Sequence, residues 1–404
     1  VIRVILQPLL AITALCIGLQ GTAIAATHAP ACESLSAEAR RLGGDGFLPS
    51  WPEARVPALV NVAFTYDNAL AAIALRGCGE PVLARRIGAA LLYVQRHDRN
   101  WRDGRVRNAY VAGPLNAVSA RPGGWWDPGQ QRWFEDVYQS GSDSGNLGWT
   151  LLALVALSDE GTRHDYVQAA VQLGSWLVLQ FDVRGATGFG GGLHGGEPHP
   201  APAGWKSTEH NADLAAAFTQ LARLTRDARW NRAAAQARSF VEAMWSASCG
   251  CFAVGTLEDG RTPAPLRALD AQVLPLLALP GAATRYARAL DMIETKLRAS
   301  GGGFRYSDAP GAMWTEGTAQ TALLYRLLGR NAAADVLMRS IEAQRDPRGR
   351  YLAAGPGGTG TGIGREDAPS IQRRYEREPH LAALAWAALA ERRYNPYTLS
   401  EKLP

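Results

Sequence analysis

The sequence predicts an all-α protein, a closed ring of helix pairs. Three observations carry that prediction. Six segments run into small, apolar helix, most from a polar start, beginning near residues 67, 146, 210, 270, 317 and 380. Five of them are followed by a second, more charged stretch with helical spacing, at about 81–97, 163–180, 228–247, 283–299 and 331–345. β-forming sequence is scarce and sits in short pieces such as 190–193, 251–255 and 303–306. A repeated helix pair cannot bury its apolar face alone, so the pairs must stack.

Taken in chain order, residues 1–26 read as a secretory leader, cut after Ala25 or Ala26. Arg3 is the leader's sole charge, and Ala23 and Ala25 stand in an A-x-A arrangement. Gln7, Pro8, Gly18, Gln20 and Gly21 interrupt the apolar run, which falls short of the ~20 residues a membrane span needs. Cys16 raises a lipoprotein reading, against which stands the bulk of Leu15. The expected organisation is a leader over 1–26 and one ring domain over 27–404. No later segment holds 18 continuous apolar residues, so the mature chain is not expected to span a membrane. The expected location is the periplasm or the medium.

The stretch ESLSAEARRL at 33–42 supplies the missing partner of the sixth segment, which closes the ring with the first helix beside the last. The Ala-rich first members of each pair are apolar all round, as inner helices should be, and the second members are amphipathic and face outward. Two long linkers, 98–143 and 346–379, are rich in Gly, Pro and Arg; linkers of that length are usually functional. Four cysteines follow the leader, and four allow three pairings. Cys32–Cys78 would staple the N-terminus to a helix end and leave Cys249 and Cys251 to pair across a C-G-C turn, as an exported chain permits.

The composition excludes several classes. With 404 residues, 20% charged and 47% hydrophobic, the chain is neither disordered nor a small disulfide module. The net charge of +5 comes from scattered residues without a basic stripe, so no nucleic-acid partner is expected. The run GPGGTGTGI at 355–363 lacks the Lys-Ser/Thr end of a phosphate loop and follows no clear strand. There is no Gly-x-Ser-x-Gly elbow. His194 and His199 flank a Gly- and Pro-containing loop rather than a helical H-E-x-x-H frame, so no metal and no cofactor are expected.

Six inner helices ringed by six outer ones resemble the (α/α)6 toroid of six-hairpin glycosidases and of related polysaccharide lyases and sugar epimerases. FTYDNALAAIAL, STEHNADLAAAF, ALDAQV and WTEGTAQTALLYRL also resemble stretches of exported bacterial members of that group. The resemblance covers most of residues 50–398. It implies a cleft at one end of the ring that holds a saccharide, with acids delivered by inner-helix ends and their loops.

Glycoside hydrolysis needs two carboxyl groups astride the scissile bond. The acids at the implied active end are Asp67, Asp143, Glu209, Asp270, Glu316 and Glu378. Glu209 leads, because Glu209-His210-Asn211-x-Asp213 is more polar than a helix cap requires. Ser207 or Thr208 can cap that helix. Asp67 is the matching base or a cap, Glu316 has a similar position, and Asp270 can orient another group. Catalysis is therefore assigned to Glu209, Asp67, Glu316 and Asp270. The expected substrate contacts are Tyr66, Asn68, Trp125, Trp126, Asp143, Trp149, Trp205, His210, Asn211, Trp314 and Gln320. Aromatic faces suit pyranose rings while polar neighbours take hydroxyls; for the tryptophans the competing reading is core packing. If Arg102, Arg105, Arg107 and Arg121 face the cleft, an anionic polysaccharide is favoured. The expected function is an exported hydrolase of a polysaccharide or oligosaccharide, acting as a monomer. Two alternatives stand beside it. One is a lyase or epimerase, the lyase using Tyr66, Tyr110 or His210 as base. The other is a non-catalytic carbohydrate-binding or secretion scaffold protein.

Overall fold

The computed structural model describes residues 29–116, 119–195, 199–364, 370 and 372–404. The expected leader, with Cys16, lies outside them. Twelve longer helices form among the described residues: α1 (Pro30–Arg41), α2 (Thr65–Gly77), α3 (Pro81–His97), α4 (Ser144–Leu157), α5 (His164–Val178), α6 (Thr208–Thr225), α7 (Ala228–Ala243), α8 (Asp270–Ala278), α9 (Arg288–Lys296), α10 (Thr315–Leu327), α11 (Asn331–Glu342) and α12 (Leu381–Arg392). Single helical turns at Val137–Ser140 and Ala282–Arg285 lie in the connections.

The even-numbered helices form the inner ring. α2 packs on α4, α4 on α6, α6 on α8, α8 on α10, α10 on α12, and α12 returns to α2. Each odd-numbered helix packs outside a partner: α3 on α2, α5 on α4, α7 on α6, α9 on α8, α11 on α10, and α1 on α12. This is an (α/α)6 toroid, and its last hairpin is made from the two ends of the chain. Sequence explains the division. Every residue of α4 from Ser144 to Leu157 is buried, and α12 is buried from Leu381 to Ala390 with six alanines that let its neighbours approach closely. α9 buries one face, Ala289, Leu290, Met292 and Ile293, and turns its charges outward.

The closure between chain ends is held chemically. The Glu391 carboxylate on α12 accepts the Ala31 N–H at 2.9 Å and the Cys32 N–H at 3.2 Å, capping α1 where unpaired N–H groups and the helix dipole favour an anion. A disulfide then ties Cys32 in α1 to Cys78 just past α2, and Cys249–Cys251 forms the second bridge.

Short antiparallel strand pairs lead the chain into the ring. Val62–Phe64 pairs with Ala109–Val111, Ser142–Asp143 with Gly192–His194, Trp245–Ser246 with Cys251–Phe252, and Thr359–Gly364 with Gln372–Tyr375. Four inner helices then begin with one repeated device. In α2, the Asn68 amide accepts the Leu48 N–H at 2.8 Å and donates to the Leu48 and Phe64 carbonyls. In α6, Asn211 does the same with Phe189 and Ser207. In α8, Gln272 does it with Phe252 and Ala268. In α10 the Thr318 hydroxyl accepts from Phe304 and donates to the Trp314 carbonyl. Each clamp fixes an incoming residue of the preceding segment against the first turn of an inner helix, satisfying backbone groups that neither element can pair itself.

Candidate active site

The first turns of the inner helices converge, and their carboxyl groups meet where the toroid opens. A cleft of about 470 Å³ lies above them. Its walls include Trp51, Tyr66, Tyr138, Tyr375 and His380, with Asp67, Asp136, Glu376 and Glu378 among the acids. The 346–379 linker supplies one wall, because Thr361 and Gln372–Tyr375 belong to the strand pair that it forms. The 98–143 linker supplies another through 136–139. A loop at 51–59 completes the mouth.

Glu209 and Asp270 face each other within hydrogen-bonding reach, and Tyr306 also bonds Asp270. Burial raises the Glu209 carboxyl well above its ordinary range, and the Asp270 and Asp213 charges raise it further. Two facing carboxyls cannot both ionise cheaply, so one proton is shared by the pair, and Glu209 is the less buried partner. Helix capping does not account for Glu209, because Ser207 caps α6 by accepting the His210 N–H at 3.3 Å.

Asp67 and Glu316 lie lower. Asp67 is 3% exposed and Glu316 2%, and Asp67 Oδ2 and Glu316 Oε2 are buried without a hydrogen-bond partner. Burial pushes Asp67 up to about 7 and Glu316 up to about 8. His380 stands between them, its Nε2 3.6 Å from Asp67 Oδ2 and its Nδ1 3.8 Å from Glu316 Oε2. Those separations are too long for hydrogen bonds. Burial pushes His380 down to about 3, so the ring is neutral, and it stacks on Trp51 at 4.1 Å. Tyr66 donates to Glu316 Oε1 and accepts the Trp386 indole N–H at 2.8 Å. Asp67 thus belongs to the cleft lining while its free oxygen, like that of Glu316, is buried. Neither residue caps its helix by a side-chain hydrogen bond.

Several expected substrate contacts are also placed elsewhere. The Asn68 and Asn211 amides are fully buried and spent on the backbone clamps. Trp149 is buried among Tyr66, Trp386 and Tyr397. Trp314 packs on Tyr306 and Tyr375, and Gln320 is 1% exposed inside α10. Asp143 is held below its ordinary range: burial would raise it, but His194 at 3.0 Å and the Asn108 amide outweigh that. His210 is pushed down to about 4 by burial, with Nδ1 3.1 Å from Ser144 Oγ, and its ring lies edge-on to Trp205. Trp205 is half-buried between His194 and His210. Trp125 and Trp126 form a separate strand pair with 132–134 outside the cleft lining. Arg102, Arg105, Arg107 and Arg121 do not line the cleft either, although Arg373 and Arg374 of the 346–379 linker do. Arg107 is buried in a two-pronged pair with Asp98 at 2.6 and 2.8 Å, Arg105 lies over Trp101, and Arg121 lies over Trp133. Tyr110 is buried and accepts the Arg107 N–H at 2.8 Å, which removes it as a base.

Sequence reasoning missed Trp51, Tyr138, Tyr306, Tyr375 and Tyr397. Tyr397 donates to Asp213 Oδ1 at 2.6 Å from five residues beyond the last inner helix. Only the length of the 346–379 linker signalled that Tyr375 would matter. No three metal-ligating side chains converge among the described residues, and no helix there is long and apolar enough to cross a membrane.

No protein-family model matches the sequence, and no curated protein matches it. Solved structures match in fold. A glycosidase variant in complex with glucose aligns over 92% of this chain and 97% of its own, with a TM-score of 0.62 and 16% identity. An α-amylase from Clostridium perfringens covers 90% and 98%, with a TM-score of 0.60 and 8% identity. A family GH63 mannosylglycerate hydrolase from Thermus thermophilus, with glucose, covers 90% and 99%, with a TM-score of 0.56 and 14% identity. The likeness is one of fold, and the fold is that of the six-hairpin glycosidase-like toroids.

Proposed function

We propose that this protein is an exported glycoside hydrolase in which Glu209 is the general acid. One observation carries the reading: a half-buried carboxyl, raised well above its ordinary range by burial and by neighbouring acids, sits in the first turn of an inner helix beside Tyr66 and Tyr375 of an aromatic-walled cleft. An acid of that kind can protonate a leaving glycosidic oxygen. We assign the base to Glu378. It lines the cleft and is half-buried, so it keeps the contact with water that Asp67 and Glu316 lack. Burial raises Glu378 and the nearby Arg55 charge opposes the rise. The glycosidases of the same fold support the substrate class. The leader-like residues 1–26 and the two disulfides support export.

A lyase is the weaker reading, because Tyr66 is raised well above its ordinary range by burial and Glu316, and Tyr110 is raised by burial too. A phenol so disposed is a poor base. The test is a product assay on a panel of neutral and acidic polysaccharides and oligosaccharides, read by mass spectrometry. Products heavier by one water, abolished in Glu209→Gln and reduced by about 10²-fold or more in Glu378→Gln, are the expected result. Unsaturated uronate products would replace the hydrolase with a lyase. Full activity in Glu209→Gln would remove Glu209 from the chemistry.

A further inference from the structure

Just outside the cleft, the strand pair Trp125–Asp127 and Arg132–Phe134 places Trp126 directly opposite Trp133. Cross-strand partners project from one face of a ribbon. Both rings are open to solvent, at 54% and 45% exposure, so this face contributes little to the core. The opposite face is occupied: Trp125 stacks on Phe134 at 6.0 Å and Arg132 lies over Phe134. The Trp133 ring is also held in place. It lies so close over Gly124 that a Cβ there would meet Trp133 Cε2 and Nε1 at 2.5 Å, and the Arg121 guanidinium stands 5.2 Å from its centre. Gly124 and Arg121 thus fix the indole, which still leaves 45% of Trp133 open to solvent.

The ribbon is continuous with the cleft wall. Trp133 is three residues before Asp136, which lines the cleft, so their Cα atoms are at most about 11 Å apart. Glu135 between them is anchored by Arg99 through two hydrogen bonds. Paired, pre-set indole faces beside a saccharide cleft suit the apolar faces of successive pyranose rings, and Asp127, Gln130 and Gln131 at the ribbon's turn can take hydroxyls.

We infer that Trp126 and Trp133 form a second saccharide-binding platform, which holds the part of a sugar chain that runs out of the cleft. The ligand is therefore a polymer or a long oligosaccharide. The inference rests on reading the cleft as a saccharide site, and its test is a binding measurement that needs no turnover. The purified protein and a Trp126→Ala/Trp133→Ala variant are run in native gels containing yeast α-mannan or soluble starch. Wild-type retardation by at least one polymer, weakened about tenfold in the double variant, is the expected result. The melting profile of the variant should match the wild type. Equal retardation of both proteins overturns the platform, and so does a wild type that neither polymer retards. If retardation is lost in the variant but no polysaccharide is ever cleaved, the platform stands and the hydrolase reading falls.

Discussion

Replacing Asn211 by alanine separates a structural amide from a substrate ligand. Gly190 N–H donates to the Gln180 carbonyl, so the alternation of the strand pair turns the Phe189 N–H and C=O toward α6. Asn211 meets both, at 2.8 and 3.0 Å, and its third bond goes to the Ser207 carbonyl at 2.9 Å. The Ser207 carbonyl keeps the Asn211 backbone N–H, but the two Phe189 groups lose their partner in a fully buried place. Stranding each costs about 1–3 kcal/mol, or about 2–6 together, and the better helix propensity of alanine returns about 0.5. The expected net loss is about 2–5 kcal/mol, read as a lowered midpoint in urea unfolding followed by far-UV circular dichroism. A variant within 1 kcal/mol of the wild type whose KM alone has risen would refute the clamp and restore Asn211 as a sugar ligand. Gln272→Ala should behave as Asn211→Ala does, since its three bonds go to the same kinds of backbone group.

Stability should fall between pH 6.5 and pH 8, by roughly 3 kcal/mol from Asp67 and Glu316 together. Burial raises these carboxyls to about 7 and about 8, so their contribution is whole below the ordinary carboxylate range and is lost as pH rises through those values. A midpoint that is flat or rising over that interval would contradict it. His380 and His210, lowered to about 3 and about 4, work in the opposite sense: their contribution is whole above 6.5 and is lost as pH falls from there to about 3, offsetting what the carboxyls gain over that interval. Opening the Cys32–Cys78 bridge, by Cys32→Ser with Cys78→Ser, should cost about 3–4 kcal/mol, because it frees a 46-residue separation in the unfolded chain. Tyr66→Phe removes the phenol that ties Glu316 to Trp386, so kcat should drop with little change in KM, and the alkaline limb of the pH profile, set by Glu209 beside Glu316, should move.

The ring itself was legible because it is written in composition. Six Ala- and Leu-rich stretches can only be inner helices, and the charged ESLSAEARRL stretch could only be an outer one in need of a partner. The presence of acids at inner-helix starts was legible for the same reason. Their depth was not. Glu209 and Glu316 each stand second in their helix and Asp67 third. What covers or exposes them is Trp51 and Tyr375, which arrive from loops distant in sequence. The clamps were hidden for a related reason. Asn68, Asn211 and Gln272 reach residues 20, 22 and 20 positions earlier, and an amide carries no mark of which backbone it will meet. A polar residue in an apolar first turn therefore reads as a ligand when it is in fact a brace. The tryptophans misled in the same way: Trp149 and Trp314 are core, whereas Trp126 and Trp133, in a linker without helical spacing, are the open ones.

The chemistry of the floor follows from what the chain places beside each buried acid. Elsewhere it pairs acids with cations: the buried Asp98 takes Arg107, and the half-buried Asp182 takes Arg184 and Lys206. Asp182 is accordingly held below its ordinary range. At the floor the donors are neutral. Glu316 has Tyr66, Asp213 has Tyr397, Asp270 has Tyr306, and Asp67 has Ser50. Phenols and hydroxyls satisfy an oxygen without neutralising a charge, so burial prevails and the carboxyls are raised. Inner-helix N-termini add fixed partial positive charge, which limits the rise without abolishing it. Introducing a cation, as Tyr66→Lys would, should lower Glu316 and release its proton at neutral pH. The neutral donor set is thus what leaves these buried carboxyls, and Glu209 beside them, raised above their ordinary range.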